Sequence, residues 1–386
     1  MYRFYDQYCV EQDAKSRLRA LPPVDRPASL DFSSNDYLGL ATHPDVVNAA
    51  IAAARQYGAG STGSRLLSGN YSLIESFERQ IAQSKHTEAA LIFSSGYQAN
   101  MTVLASLLSQ RVLPAPPIVF FDRLNHSSLY NAMFLSGAEY VLFEHNDMAD
   151  LRRQLQTHCV ASRPAFIVTE TVHGMEADLL PIADVVDIAA SYNCFLYLDE
   201  AHATGLYGSQ GYGLSTTVDL SPVPHMVMGT FSKAIGGAGA YIACNAVMHR
   251  FMLNRTAGFI YSTAPSPMSV AAAAQAWGMV PTLAAQRQQV FALADLLRQL
   301  LRDRGITVMG DGTNIVPVCL GDESDTLALK QALQQEGMMV SAIRPPTVPT
   351  GTSRLRIAIN ALHDSAGVNR LAQTIVQHLS RPGTRG

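Results

Sequence analysis

Lysine is scarce in this chain of 386 residues: only Lys15, Lys85, Lys233 and Lys330 occur. Lys15, Lys85 and Lys330 fall in polar, helix-like stretches. Lys233 is the outlier, set between a hydroxyl pair and a glycine-rich run in Thr230-Phe231-Ser232-Lys233-Ala234-Ile235-Gly236-Gly237-Ala238-Gly239. Cysteine is also sparse. The five cysteines, Cys9, Cys159, Cys194, Cys244 and Cys319, show no C-x-x-C spacing, which argues against a disulfide framework or a metal site and fits a reducing compartment. Cys194, Cys244 and Cys319 sit in apolar runs and read as core. No Gly-Lys pair exists anywhere, which removes the nucleotide-binding phosphate loop. Net charge is only −3, without a single-sign tail, so there is no electrostatic case for nucleic acid. The N-terminal stretch carries Arg3, Asp6, Glu11, Asp13 and Lys15 and lacks the apolar segment of a signal peptide. Residues 256–286 hold no charge, yet Pro265, Pro267 and Pro281 interrupt them. An Ala-rich buried helix after Pro267 is expected there, not a membrane span. These absences together predict a cytoplasmic protein with no membrane partner.

What is present is an alternation of short apolar runs and helical periods. Strands are expected at 90–93, 118–121, 140–143, 166–169, 194–198, 226–229 and 240–243. Helices are expected near 45–57, 72–84, 97–109, 127–135, 148–157, 182–192 and 246–255. This alternation predicts an α/β domain with a mostly parallel sheet. Residues 1–20 are expected to form an amphipathic helix ending before Pro22-Pro23. A long helical stretch covers 268–303. Strand-like 306–309, 315–320, 338–343 and 355–359, with helices near 324–336 and 366–380, then suggest a smaller α+β domain. The expected organisation is an N-terminal segment 1–44, a large domain 45–284 and a small C-terminal domain 285–386.

Ligands of such sheets gather at the carboxyl ends of the strands. Asp199 and Lys233 both fall just past expected strand ends. Asp199-Glu200-Ala201-His202 also spells a helicase box, but the missing phosphate loop excludes that reading. An amine able to form an imine, a carboxylate and an imidazole, with small residues leaving room for a ring, suit pyridoxal 5'-phosphate (PLP). Asp199 can keep the pyridine nitrogen protonated, and His202 can reach the ring hydroxyl. Thr230 and Ser232 can donate to a phosphate. Ser95-Gly96-Tyr97 opens a helix after a strand, where amides bind phosphate well. His126 can stack on the ring. Arg354 and Arg356 stand on one late strand and are expected on opposite faces, one of them pairing with a carboxylate.

These segments resemble the α-oxoamine synthases, fold-type I PLP-dependent transferases that condense an amino acid with an acyl thioester and release carbon dioxide. The resemblance runs from Leu30 to His363. It rests on Asp31–Leu40, the Gly58–Gly69 loop, Ser95–Asn100, Asn125-His126-Ser127, Asp199–His202 and Thr230–Gly237. It implies an aspartate-aminotransferase-like large domain with a mixed, mostly parallel seven-stranded sheet, and a homodimer with shared active sites. Lys233 would bind the cofactor and move the α-proton; Asp199, His202 and His126 would hold the ring. Gly96, Tyr97 and Thr230 would hold the phosphate, aided by Ser262 and Thr263 of a partner subunit. Asn35 and Arg356 would bind the amino-acid carboxylate, Arg19 the acyl donor's carboxylate, and Thr347 would line the cleft. The segment Ala342–Thr352 points to L-alanine and a pimeloyl thioester, of coenzyme A or an acyl carrier protein. Siblings using glycine or serine, and a non-catalytic binding subunit, are the alternatives. Two positions depart from the family: Gly174 replaces a cofactor-contacting serine, and Ile74 replaces a histidine.

Overall fold

The computed structural model describes residues 1–21, 30–158 and 162–380; Pro22-Pro23 and Cys159 lie outside them. Contacts divide the chain into two compact units. One comprises Met1–Tyr37, Gly174–Asp178 and Ala285–Gly386, the other Leu38–His173 and Leu179–Ala284. The N-terminal segment is thus not a unit of its own.

The larger unit is built on a seven-stranded sheet: β1 (Ala89–Phe93), β2 (Ile118–Asp122), β3 (Glu139–Phe143), β4 (Ala165–Glu170), β5 (Phe195–Asp199), β6 (His225–Thr230) and β7 (Ala240–Cys244). Their spatial order is β1-β7-β6-β5-β4-β2-β3. β7 runs antiparallel to both neighbours, and every other adjacent pair is parallel. Central strands of such a sheet are covered on both faces, which is why they read as unbroken apolar runs. Side chains alternate between two separate cores. Val119, Phe121, Val168 and Tyr197 pack in one cluster, while Ile118, Phe120, Ile167 and Leu196 pack in the other. The expected helices form as Pro44–Tyr57, Ser72–Ser84, Gly96–Leu107, Ser127–Ser136, Met148–His158, Ile182–Ser191 and Ala246–Arg255. Because six strands share one direction, residues following Phe93, Asp122, Glu170, Asp199 and Thr230 emerge at one edge of the sheet.

The smaller unit has an antiparallel sheet in which Ser353–Ala358 lies between Ile315–Gly321 and Ser341–Ile343. Its core joins Val316, Val318, Leu355 and Ile357 to Leu297 and Leu371 of the helices Ala284–Arg302 and Ser365–Leu379. Leu30–Asp31 pairs in parallel with Met338–Met339, and Phe32 accepts the Ala358 amide at 2.8 Å, so the N-terminal segment is stitched into this unit.

Several expectations are corrected. The first helix is shorter, Tyr2–Ala14, and buries no residue; the left-handed Ser16 follows its end. The stretch 268–303 breaks into Pro267–Met279, a 3-10 turn Val280–Leu283, and Ala284–Arg302, because Pro281 has no amide for the ladder. The strand expected at 306–309 is reduced to one bridge, Val308 to Val318. The run 338–343 splits into two short strands with different partners. Cys194 and Cys244 are core, whereas Cys319 is only half-buried. Among the described residues no helix is long and apolar enough to cross a membrane.

Candidate active site

In the larger unit, the helix Gly96–Leu107 begins directly after β1. Ser95 caps it, its hydroxyl accepting from the Gln98 amide at 3.2 Å. That leaves the amides of Gly96 and Tyr97 among the donors a helix start cannot satisfy internally. A Cβ built on Gly96 would stand 3.7 Å from Thr230 Cβ, so the helix start adjoins the end of β6. There Thr230 Oγ1 lies 2.8 Å from Ser232 Oγ and 2.9 Å from the Gly239 carbonyl oxygen. Two amides and two hydroxyls therefore converge, with the positive end of the helix dipole behind them.

Lys233 rides on the connection between β6 and β7. The Phe231 amide donates to Gly239 at 2.9 Å, Gly237 to Phe231 at 2.7 Å and Gly236 to Lys233 at 2.8 Å. The turn following β5 packs against this loop: a Cβ on Gly205, where φ is +95°, would come within 2.5 Å of Ala234 Cβ. Only glycine permits both that backbone and that approach. His202 lies in the same turn and is buried.

Asp199 ends β5 and is 3% exposed. Its Oδ1 accepts from the Ala201 amide at 2.8 Å and its Oδ2 from Asn100 Nδ2 at 2.7 Å. Tyr197 donates to Asn100 Oδ1 at 2.8 Å. Burial, and then the charge of Asp199, push the Tyr197 phenol well above its ordinary pKa, so it stays a neutral donor. His126 begins the helix Ser127–Ser136, its amide donating to Glu170 Oε1 at 2.6 Å. The His126 side chain is partly exposed. Burial of the rest lowers its pKa, Asp199 opposes that shift, and Lys233 adds to it, so these three groups share one electrostatic neighbourhood. Ser262 and Thr263 occupy the exposed loop before Pro267.

In the smaller unit, Arg356 is buried. It donates to Gly174 O at 2.8 Å, Asn35 Oδ1 at 3.1 Å and Tyr37 Oη at 3.2 Å. Among the described residues each of these hydrogen-bond partners is a neutral oxygen, an arrangement that leaves the guanidinium charge suited to an anion. The expectation that Arg354 faces the opposite way fails: residues two apart on a strand share a face. Arg354 accordingly reaches Met175 O at 3.0 Å and Glu176 at 3.4 Å, in the same segment that Arg356 contacts. Arg19 donates to Thr347 Oγ1 at 3.0 Å, so those two candidates meet. Gly174 offers its carbonyl to Arg356 and has no side chain for a cofactor, and Ile74 is simply core.

The larger unit's donor set fits a phosphorylated pyridine: uncapped amides and hydroxyls for a dianion, a buried carboxylate for a ring nitrogen, and an amine for an aldehyde carbon. Sequence reasoning assigned no role to Asn100, although it closes the Ser95–Asn100 motif, or to Ser128; both are polar positions on otherwise apolar helix faces. It assigned none to Lys85 either. That lysine is buried and donates to the Glu200 carboxylate, to Tyr212 O at 2.8 Å and to Ser215 Oγ at 2.7 Å.

Sheet order, lysine loop and buried aspartate together define a PLP-dependent transferase of fold type I. The family model for aminotransferase class I and II matches residues 27–375. An 8-amino-7-oxononanoate synthase of Gluconacetobacter diazotrophicus is 41% identical over 387 residues, covering 96% of each chain. A Paramagnetospirillum magneticum protein, provisionally named for the same activity, is 42% identical over 374 residues, covering 94% of each. A solved serine palmitoyltransferase (SPT) holding PLP superposes with a TM-score of 0.89 at 25% identity, covering 98% of both chains. The chain belongs to the aminotransferase class I and II family, as a PLP-dependent enzyme of the α-oxoamine synthase type.

Proposed function

We propose that this enzyme condenses L-alanine with a pimeloyl thioester to give 8-amino-7-oxononanoate, carbon dioxide and a free thiol, a step of biotin synthesis. The observation that carries this reading is identity above 40% along nearly the whole chain to relatives bearing that synthase name. One carbon–carbon bond forms between the alanine α-carbon and the acyl carbon as the carbon–sulfur bond breaks. The alanine carboxylate then leaves as carbon dioxide and a proton takes its place. Bound PLP supplies the electron sink for the negative charge that develops at the α-carbon.

The chain's own residues bind, orient and move protons. Lys233 Nζ would hold the cofactor, and its amine would move the α-proton. Asp199 holds a positive charge at the ring nitrogen, and neutral Tyr197 adds no competing anion behind it. His202 would donate to the ring oxygen, and His126 would hold the ring. Ser95, Gly96, Tyr97, Thr230 and Ser232 hold the phosphate, joined by Ser262 and Thr263 of the second subunit of a homodimer. Arg356 and Asn35 bind the amino-acid carboxylate, while Arg19 and Thr347 bind the acyl donor.

A sibling reading, with serine or glycine and a longer acyl chain, draws on the likeness to SPT. Mass spectrometry of products decides. The purified holoenzyme is given L-alanine, glycine or L-serine with pimeloyl-CoA or palmitoyl-CoA. Product only from L-alanine and pimeloyl-CoA is the expected result; preferential use of serine and palmitoyl-CoA would replace this reading with the sibling.

A further inference from the structure

The side chain of Asn100 is 1% exposed and joins the two groups assigned above to the cofactor ring. One Nδ2 hydrogen goes to Asp199 Oδ2 at 2.7 Å and the other to Ser128 Oγ at 2.9 Å. The amide cannot be turned over, because a carboxylate oxygen only accepts and the Tyr197 hydroxyl donates to Asn100 Oδ1 at 2.8 Å. Since Ser128 Oγ accepts from Asn100, its own hydrogen is left for His126 Nδ1, 2.8 Å away, and the Ser128 amide points to the same nitrogen at 3.2 Å. Two donors converging on Nδ1 leave the ring proton on Nε2. Tyr197, Asn100, Ser128 and Asp199 are all buried, so water does not compete and each bond directs the next.

We propose that Asn100 is a positioning residue, setting through one amide the direction of both the Asp199 carboxylate and the His126 imidazole. This rests on the reading that those two groups hold the PLP ring. Asn100 itself reaches the ring only through them. Titratable groups facing this pair include Glu170, which accepts the His126 amide, Lys233 beside His126, His202 in the turn after Asp199, and Tyr197 and Tyr241, whose phenols are raised chiefly by burial, with Asp199 adding to it.

The test uses two readouts on full-length protein: the pH titration of the visible absorption of bound PLP, and the imidazole nitrogen NMR of His126, assigned with His126→Gln. Asn100→Ala is expected to weaken PLP binding about 10- to 100-fold, the range for losing a hydrogen bond to a charged group. It should also move the titration midpoint and abolish the Nε2–H preference. Ser128→Ala should reproduce only the loss at His126. If the alanine variant does not fold, isosteric Asn100→Asp sets a second carboxylate against Asp199; its PLP affinity should recover as pH falls and the pair takes up a proton. Wild-type midpoint and His126 tautomer in a folded Asn100 variant would overturn the proposal. Asp199→Asn separates the two readings. If it too titrates like wild type, the site assignment itself fails.

Discussion

The buried pair of Lys85 and Glu200 gives a sharp stability prediction. Both side chains are fully shielded. Lys85 also satisfies Tyr212 O and Ser215 Oγ, and Glu200 Oε1 accepts the Ser215 amide at 2.6 Å. Burial lowers the Lys85 pKa, and the charge and hydrogen bond of Glu200 offset part of that shift, so each partner offsets part of the other's desolvation. In Lys85→Met the Glu200 carboxylate remains without its counter-ion, and breaking a buried pair this way costs about 3–5 kcal/mol. For a unit of this size each kcal/mol shifts the thermal midpoint by about 2–4 °C, giving a drop of about 6–20 °C. The double variant Lys85→Met/Glu200→Gln removes both charges and should recover more than half of the loss. The assay is thermal unfolding of the holoenzyme by near-ultraviolet circular dichroism. A Lys85→Met midpoint within about 2 °C of wild type, or a double variant as unstable as the two singles summed, would refute the reasoning.

Three further outcomes are expected. Borohydride reduction followed by peptide mass spectrometry should attach the pyridoxyl group to Lys233 in wild type and leave the peptide of Lys233→Ala unmodified. Arg356→Lys keeps the charge but loses the planar fork that reaches Gly174, Asn35 and Tyr37; KM for the amino acid should rise about 10- to 100-fold while KM for the acyl thioester stays put. Burial would raise the Asp122 carboxyl, but the His145 hydrogen bond, the charges of His173 and His145, and the Leu124 amide together hold it below its usual 3.8. A depressed carboxyl contributes stability that is full above 3.8 and is lost as pH falls through the lower folded value. The urea midpoint of Asp122→Asn should therefore lie below wild type at about pH 5 and converge on it as pH falls below the folded carboxyl's value.

Much of this architecture is legible locally. Runs such as Ile118–Phe121 and Phe166–Val168 are apolar throughout because both faces of a central strand are covered, so strand positions survive in the sequence without knowledge of partners. Asp199 and Lys233 stand out because polar residues following such runs mark the ligand edge. Other features depend on distance along the chain. Lys85 looks like a solvated helix end, and nothing nearby says that its partner lies at Glu200, 115 residues on. Asn100 was visible as a letter in a motif, yet its role emerges only when β5 brings Tyr197 and Asp199 to either side of its amide. The shared face of Arg354 and Arg356 is legible from strand period alone, since residues two apart point the same way.

The division of the chain also bears on synthesis. β1 has a single neighbour in the sheet, β7, so the helix start at Gly96 stays at an unpaired edge until Ala240–Cys244 is available. The sheet-bearing unit is completed by Ala284, whereas the smaller unit needs both Met1–Tyr37 and Ala285–Gly386. At translation rates of about 5–20 residues per second, the first 37 residues wait roughly 5–20 seconds after Ala284 is made before their last partner strands and helices exist. During that interval Leu30–Asp31 and Phe32 have neither Met338–Met339 nor Ala358 to pair with, so this segment is one that a chaperone would meet exposed.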